Sequence, residues 1–135
     1  MSPTATALAG FAAWQILLTV ALASFRTALV LGGQKEANAF ATDGSDVSSF
    51  GRRLTRARDN CYENLPMFAA LALAASLEGR TAVTDPLALW FLLARIGQSV
   101  THIVSTSVLA VQVRFPFYLA QLVIMGWWAI RLLGS

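Results

Sequence analysis

Long stretches of this chain carry no charged side chain, and that constrains its fold more than any other feature. Leu8 to Phe25 is one unbroken uncharged run, continued past Arg26 by Thr27 to Leu31 and closed by Gly32-Gly33. A helix needs about 20 mainly apolar residues to cross a bilayer, and this run supplies them. Across 135 residues, 56% are hydrophobic and 13% charged, against roughly a quarter charged in a soluble domain. Disorder is excluded on the same ground, because so much apolar surface has to be buried. The length suits a single domain over 1–135. Ala21-Leu22-Ala23 looks like a signal-peptide cleavage site, but no Lys or Arg precedes the run and it is too long for a signal core. It reads as a retained first span.

The later spans carry polar residues. Residues 34–51 are polar and turn-rich and form the longest loop. The apolar run Asn64 to Leu77 is too short to cross a bilayer alone, so its helix has to begin near Arg56. That start carries Arg56, Arg58, Asp59, Asn60 and Glu63 into the membrane or to its edge. Asp85 as an N-cap and Pro86 in the first turn open a third span, and a turn at Gln112 to Pro116 leads to a fourth. The spans, 8–31, 56–77, 86–111 and 117–133, predict an all-α, integral membrane, antiparallel four-helix bundle.

Lys35, Arg52, Arg53, Arg56 and Arg58 flank the first loop and Arg114 the third, while the opposite side holds Arg80 and Arg131. Positive residues favour the cytoplasm, which places the first and third loops there and both termini on the other side. The excess of Arg over Lys points to a GC-rich bacterial genome, for which the membrane would be the inner one.

A pI of 9.8 invites a nucleic-acid reading. The net charge is only +3, and no exposed basic face with interleaved aromatics can be drawn, so nucleic acid is not an expected partner. A lone Cys61 excludes an internal disulfide framework and a cysteine-based zinc site. It reads as a small buried thiol. His102 has no second histidine or nearby carboxylate to make a metal site.

The ionisable groups inside the spans are ordered. Arg56, Asn60 and Glu63 fall at i, i+4 and i+7, one stripe of a helix. Arg95, Gln98 and His102 fall at i, i+3 and i+7 and make a second stripe. Arg26 ends the first span and Arg114 opens the fourth on the same side. Mutual pairing, for example Glu63 with Arg95, is one reading of this set. It fails on charge, because Arg26, Arg56, Arg95 and Arg114 outnumber Glu63 even with Asp59 added. Unpaired cations near hydrocarbon want an anionic partner, either a ligand with carboxylates or phosphates or a lipid headgroup.

Arg56-Ala57-x-x-Asn60-x-x-Glu63-x-x-Pro66, opening the second membrane helix of a four-helix chain of this length, resembles the MAPEG family, the membrane-associated proteins in eicosanoid and glutathione metabolism. The resemblance covers nearly the whole chain in span number, loop lengths and orientation. It implies a homotrimer with glutathione as co-substrate, bound between neighbouring subunits. Arg56, Asn60 and Glu63 match the family's glutathione-binding positions on the second helix. Arg26 looks like the first-helix Arg that meets a glutathione carboxylate, and Arg95 like an Arg common on the third helix. Arg114 resembles the Arg that stabilises the glutathione thiolate, and is the expected catalytic residue. Tyrosines that touch glutathione in well-studied family enzymes stand here as Gln98 and His102, and Arg58 takes a position often held by His or Gln.

The function the resemblance implies is a glutathione-dependent transferase or peroxidase acting in the bilayer on lipophilic electrophiles or peroxides. Two other classes stay open. One is a non-catalytic family member that binds lipid or scaffolds a partner. The other is a small transporter, which would usually show helices broken by Gly or Pro at mid-span; the prolines here lie near helix starts, except Pro66.

Overall fold

The computed structural model describes residues 1–33, 49–104 and 108–134. Four helices fill it: α1 Pro3–Leu31, α2 Ser49–Leu77, α3 Asp85–Val104 and α4 Val108–Leu133, with a single 3-10 turn at Thr81–Val83 before α3. No strand occurs among the described residues. Lys35 and the loop over 34–48 lie outside them.

Among the described residues, three segments are long and apolar enough to cross a membrane: Pro3–Leu31, Asp85–Val104 and Gln112–Leu133. α2 is not, because its first half holds Arg52, Arg53, Arg56, Arg58 and Asp59. It has 29 residues, or about 43 Å at 1.5 Å per residue, which exceeds a hydrocarbon core of about 30 Å. Its charged turns can therefore project past the core while Asn64 to Leu77 stays within it.

Two boundaries differ from expectation. Residues 112–116 are helical and belong to α4, which starts at Val108 instead of Phe117. α3 ends at Val104 rather than running to 111. Pro116 suggests a turn because it lacks an N–H and crowds the carbonyl four residues back, yet α4 runs through it with the proline exposed. Pro66 likewise lies inside α2.

α2 and α3 pack on each other and both touch α1 and α4, whereas α1 and α4 share no extensive face. The bundle is thus a rhombus with α2 and α3 across its short diagonal. Terminal contacts fix the directions. Thr4 at the start of α1 meets Asp85 at the start of α3, so these two run parallel. Arg53 near the start of α2 donates Nε to the Ile103 carbonyl at the end of α3, 2.7 Å away. Arg80, just before α3, donates to the carbonyls of Arg131 and Leu132 at the end of α4, both at 2.8 Å. Two arginines thereby satisfy orphan carbonyls at helix C-termini, where a cation also suits the helix dipole.

Asp85 does not serve its own helix as a cap. Its Oδ1 accepts the backbone N–H of Thr4 at 3.0 Å and the Thr4 hydroxyl at 2.5 Å, and Thr4 also meets the Thr84 hydroxyl at 2.6 Å. Ser2 caps α1 alongside by accepting from Ala5 N. Two first-turn donors of α1 are satisfied, one of them by a residue 81 positions away in sequence.

Each helix supplies one ring to a buried aromatic layer. Phe11, Phe68, Phe91 and Trp128 are all fully buried. Phe68 and Phe91 stack with centroids 4.5 Å apart, Phe11 lies 5.5 Å from Phe68, and Trp128 lies 5.8 Å from Phe91. Centroids at 4.5–7 Å are the favourable range for such pairs. α1 meets α3 at Gly10, where an added Cβ would stand 2.7 Å from Leu92 Cδ2 and oblige that side chain to shift. The layer separates a hydroxyl–carboxylate cluster at the Thr4 end from a larger polar cluster at the Arg114 end.

Candidate functional site

The polar cluster begins one turn beyond the aromatic layer. On α3, Arg95 follows Phe91 by four residues, and Gln98 and Ser99 share its buried face. On α2, Cys61 and Asn64 turn inward with Asn60 beside them. On α4, Gln121 is buried two turns before Trp128. These side chains form one ladder across three helices. Gln121 Nε2 donates to Gln98 Oε1 at 2.7 Å. Gln98 Nε2 lies 3.5 Å from Asn60 Oδ1, and Arg95 Nη2 donates to the same oxygen at 2.5 Å. Behind it, Cys61 Sγ and Ser99 Oγ meet at 3.0 Å, which agrees with the reading of Cys61 as a buried thiol.

The ladder backs an open cleft of about 240 Å³ lined by Asn60, Glu63, Gln98, Arg114, Phe115 and Tyr118. One wall is α2 with a carboxylate, the other α4 with a guanidinium and two rings, and the floor is the amide of Gln98. Arg114 Nη1 lies 2.6 Å from His102 Nδ1. Such a cleft offers a cation and an anion in one polar lining, a match for a zwitterionic or multiply charged small molecule.

Of the residues expected from sequence, Asn60, Glu63, Gln98 and Arg114 line this cleft together. Arg56 lies one turn from Asn60 and is exposed, close enough for its charge to act on Arg114 and His102. Arg95 and His102 stand behind the lining, Arg95 fully buried and His102 half-buried against Arg114. Arg26 is partly buried on α1, which packs on α2 and α3 but not on the α4 wall, and does not line the cleft.

The suggested Glu63–Arg95 pairing does not form. Glu63 is exposed, and Arg95 reaches Asn60 instead. Asp59 is also committed elsewhere, 2.6 Å from Arg58 next to it. Among the described residues, Arg56, Arg95 and Arg114 therefore make no ion pair, and Arg95 Nε and Nη1 have no hydrogen-bond partner.

Sequence reasoning passed over Tyr118, Phe115 and Gln121. The signal was present: Arg114, Tyr118 and Gln121 fall at i, i+4 and i+7, the same spacing as Arg56, Asn60 and Glu63. A turn assigned to 112–116 broke that register.

Fold and site together define an integral membrane helical bundle with a polar, charged cleft at one end. The MAPEG family model matches residues 4–134, and the chain belongs to this membrane family of glutathione and eicosanoid metabolism. Searches among curated proteins and solved structures find no match.

Proposed function

We propose that this protein binds glutathione in the cleft and uses it, as a transferase or peroxidase, against lipophilic electrophiles or peroxides that arrive through the bilayer. The observation that carries the reading is that Glu63 from α2, Gln98 from α3 and Arg114 from α4 line one cleft. Glutathione has an ammonium for Glu63, two carboxylates for arginines such as Arg56 and Arg26, and a thiol beside Arg114. A guanidinium near a thiol favours its ionised form, and the phenol of Tyr118, one turn along α4, can donate to the same sulfur.

In transfer, the thiol proton leaves to water, the thiolate sulfur forms a bond to the electrophilic carbon, and the leaving group departs with the bonding pair. With a peroxide, the thiolate attacks one oxygen and the O–O bond breaks, releasing an alcohol once a proton is taken up. A second glutathione then displaces water from the sulfenic acid and gives the disulfide. The chain's own residues bind, orient and stabilise charge; the electrophile approaches from hydrocarbon.

A cleft of about 240 Å³ falls below the roughly 300–1,000 Å³ of typical ligand pockets, and Glu63 and Arg56 are exposed on one side of it. A second copy of the chain packed on α2 would close that side and bring Arg26 towards it, which supports an oligomer; the homotrimer is the assembly the family resemblance implies. Conjugation of glutathione to a lipophilic aryl halide by purified protein tests the reading. Turnover is expected in the parent, with Glu63→Ala weakening glutathione binding about tenfold or more, as when a charged partner is lost. Equal titration curves for parent and variant would refute the site.

A further inference from the structure

The chain has one histidine, and its place is unusual. His102 sits on α3 one turn past Gln98, does not line the cleft, and faces Arg114 with Nδ1 2.6 Å from Nη1. A guanidinium has only donors and keeps its proton at any pH a protein meets. The nitrogen opposite it must present a lone pair, so His102 is neutral here and carries its proton on Nε2. The charged groups acting on the imidazole are Arg114 from α4, Arg95 on its own helix and Arg56 from α2. All three are cations, and α1 adds none to the set. A proton on Nδ1 would remove the acceptor and set two positive charges at hydrogen-bond distance.

We propose that His102 is a positioning residue for Arg114. As a neutral acceptor it holds the guanidinium at the cleft rim, and its protonation releases the guanidinium, so that acid disables the cleft. Turnover then depends on two protonation states, that of the thiol and that of an imidazole outside the cleft lining. The proposal rests on the glutathione reading for its effect on turnover and is independent of it for the His102–Arg114 contact.

The test uses the full chain in detergent micelles with 15N-labelled histidine, which gives a single residue's signals. At neutral pH, Nδ1 is expected to resonate as an unprotonated acceptor and to move in Arg114→Ala. A protonated Nδ1, or a spectrum indifferent to Arg114→Ala, overturns the contact. The second arm compares His102→Phe, which fills the space without an acceptor, with His102→Asn, whose Oδ1 can stand near the Nδ1 position without titrating. His102→Phe is expected to lower kcat about tenfold with the KM for glutathione within about threefold. His102→Asn should recover most of that loss, and its rate should fall toward acid one proton less steeply than the parent's. Parent-like kcat in His102→Phe, or equal steepness in parent and His102→Asn, overturns the positioning role. A parent that fails to bind glutathione refutes the functional reading alone, and the histidine spectrum still decides the contact.

Discussion

Arg95 on α3 donates to the side-chain oxygen of Asn60 on α2 at 2.5 Å, so a fully buried cation stands directly behind a residue that lines the cleft. The contact ties the two central helices together at the level of the site. It also fixes which way the Asn60 amide faces: its oxygen is turned to Arg95 and Gln98, and its NH2 group is left for other partners.

The cost of breaking this pair should be lopsided. Asn60→Leu leaves the buried guanidinium without its acceptor and is expected to destabilise by about 1.5–3 kcal/mol, as for a lost hydrogen bond to a charged group. Arg95→Met removes the charge as well and should cost less. The double variant should be more stable than Asn60→Leu alone. Unfolding by SDS titration in bicelles measures all three, and strictly additive losses would show that the two residues do not interact.

The aromatic layer should behave as a single core. Phe68 touches the rings of Phe11, Phe91 and Trp128, and Phe68→Ala is expected to cost about 3–5 kcal/mol. Trp90, one residue from Phe91 but 66% exposed, should tolerate alanine within about 0.5 kcal/mol. Similar losses at both positions would mean that burial is not what distinguishes them.

The first turn of α1 depends on a carboxylate from α3. Asp85→Ala should cost about 1–2 kcal/mol, the usual loss for an N-terminal cap, and should speed hydrogen exchange at the Thr4 amide. Glutathione affinity should stay within about twofold, because the aromatic layer separates Asp85 from the cleft. Unchanged exchange at Thr4 would contradict the cap.

The legible parts of this chain are those where one physical term dominates. The uncharged run from Leu8 marks α1 without ambiguity, since desolvation of charge outweighs every competing preference. The stripe Arg56, Asn60, Glu63 is equally readable, because helical spacing alone puts its members on one face. Pro116 defeats the same logic: local backbone chemistry argues for a turn, and the helix nonetheless runs through the exposed proline. Partner choice is hidden for a similar reason. Charge favours Glu63 for Arg95, but the bundle brings Asn60 to it and leaves Glu63 facing outward. Asp85 carries a cap signature, and only the parallel placement of α1 and α3 reveals that the helix it caps is α1.

The most direct test of the account is the ultraviolet thiolate absorbance that appears when glutathione is mixed with the purified protein at neutral pH, followed beside calorimetric titration. A free thiol with a pKa near 8.5 is mostly protonated there, so a thiolate band on binding reports the work assigned to Arg114. The parent should show both the heat of binding and the band, and Arg114→Ala should lose most of the band and the turnover while keeping affinity within about tenfold. Binding heat with no thiolate band in the parent would contradict the catalytic role, and no heat and no band would contradict the site itself.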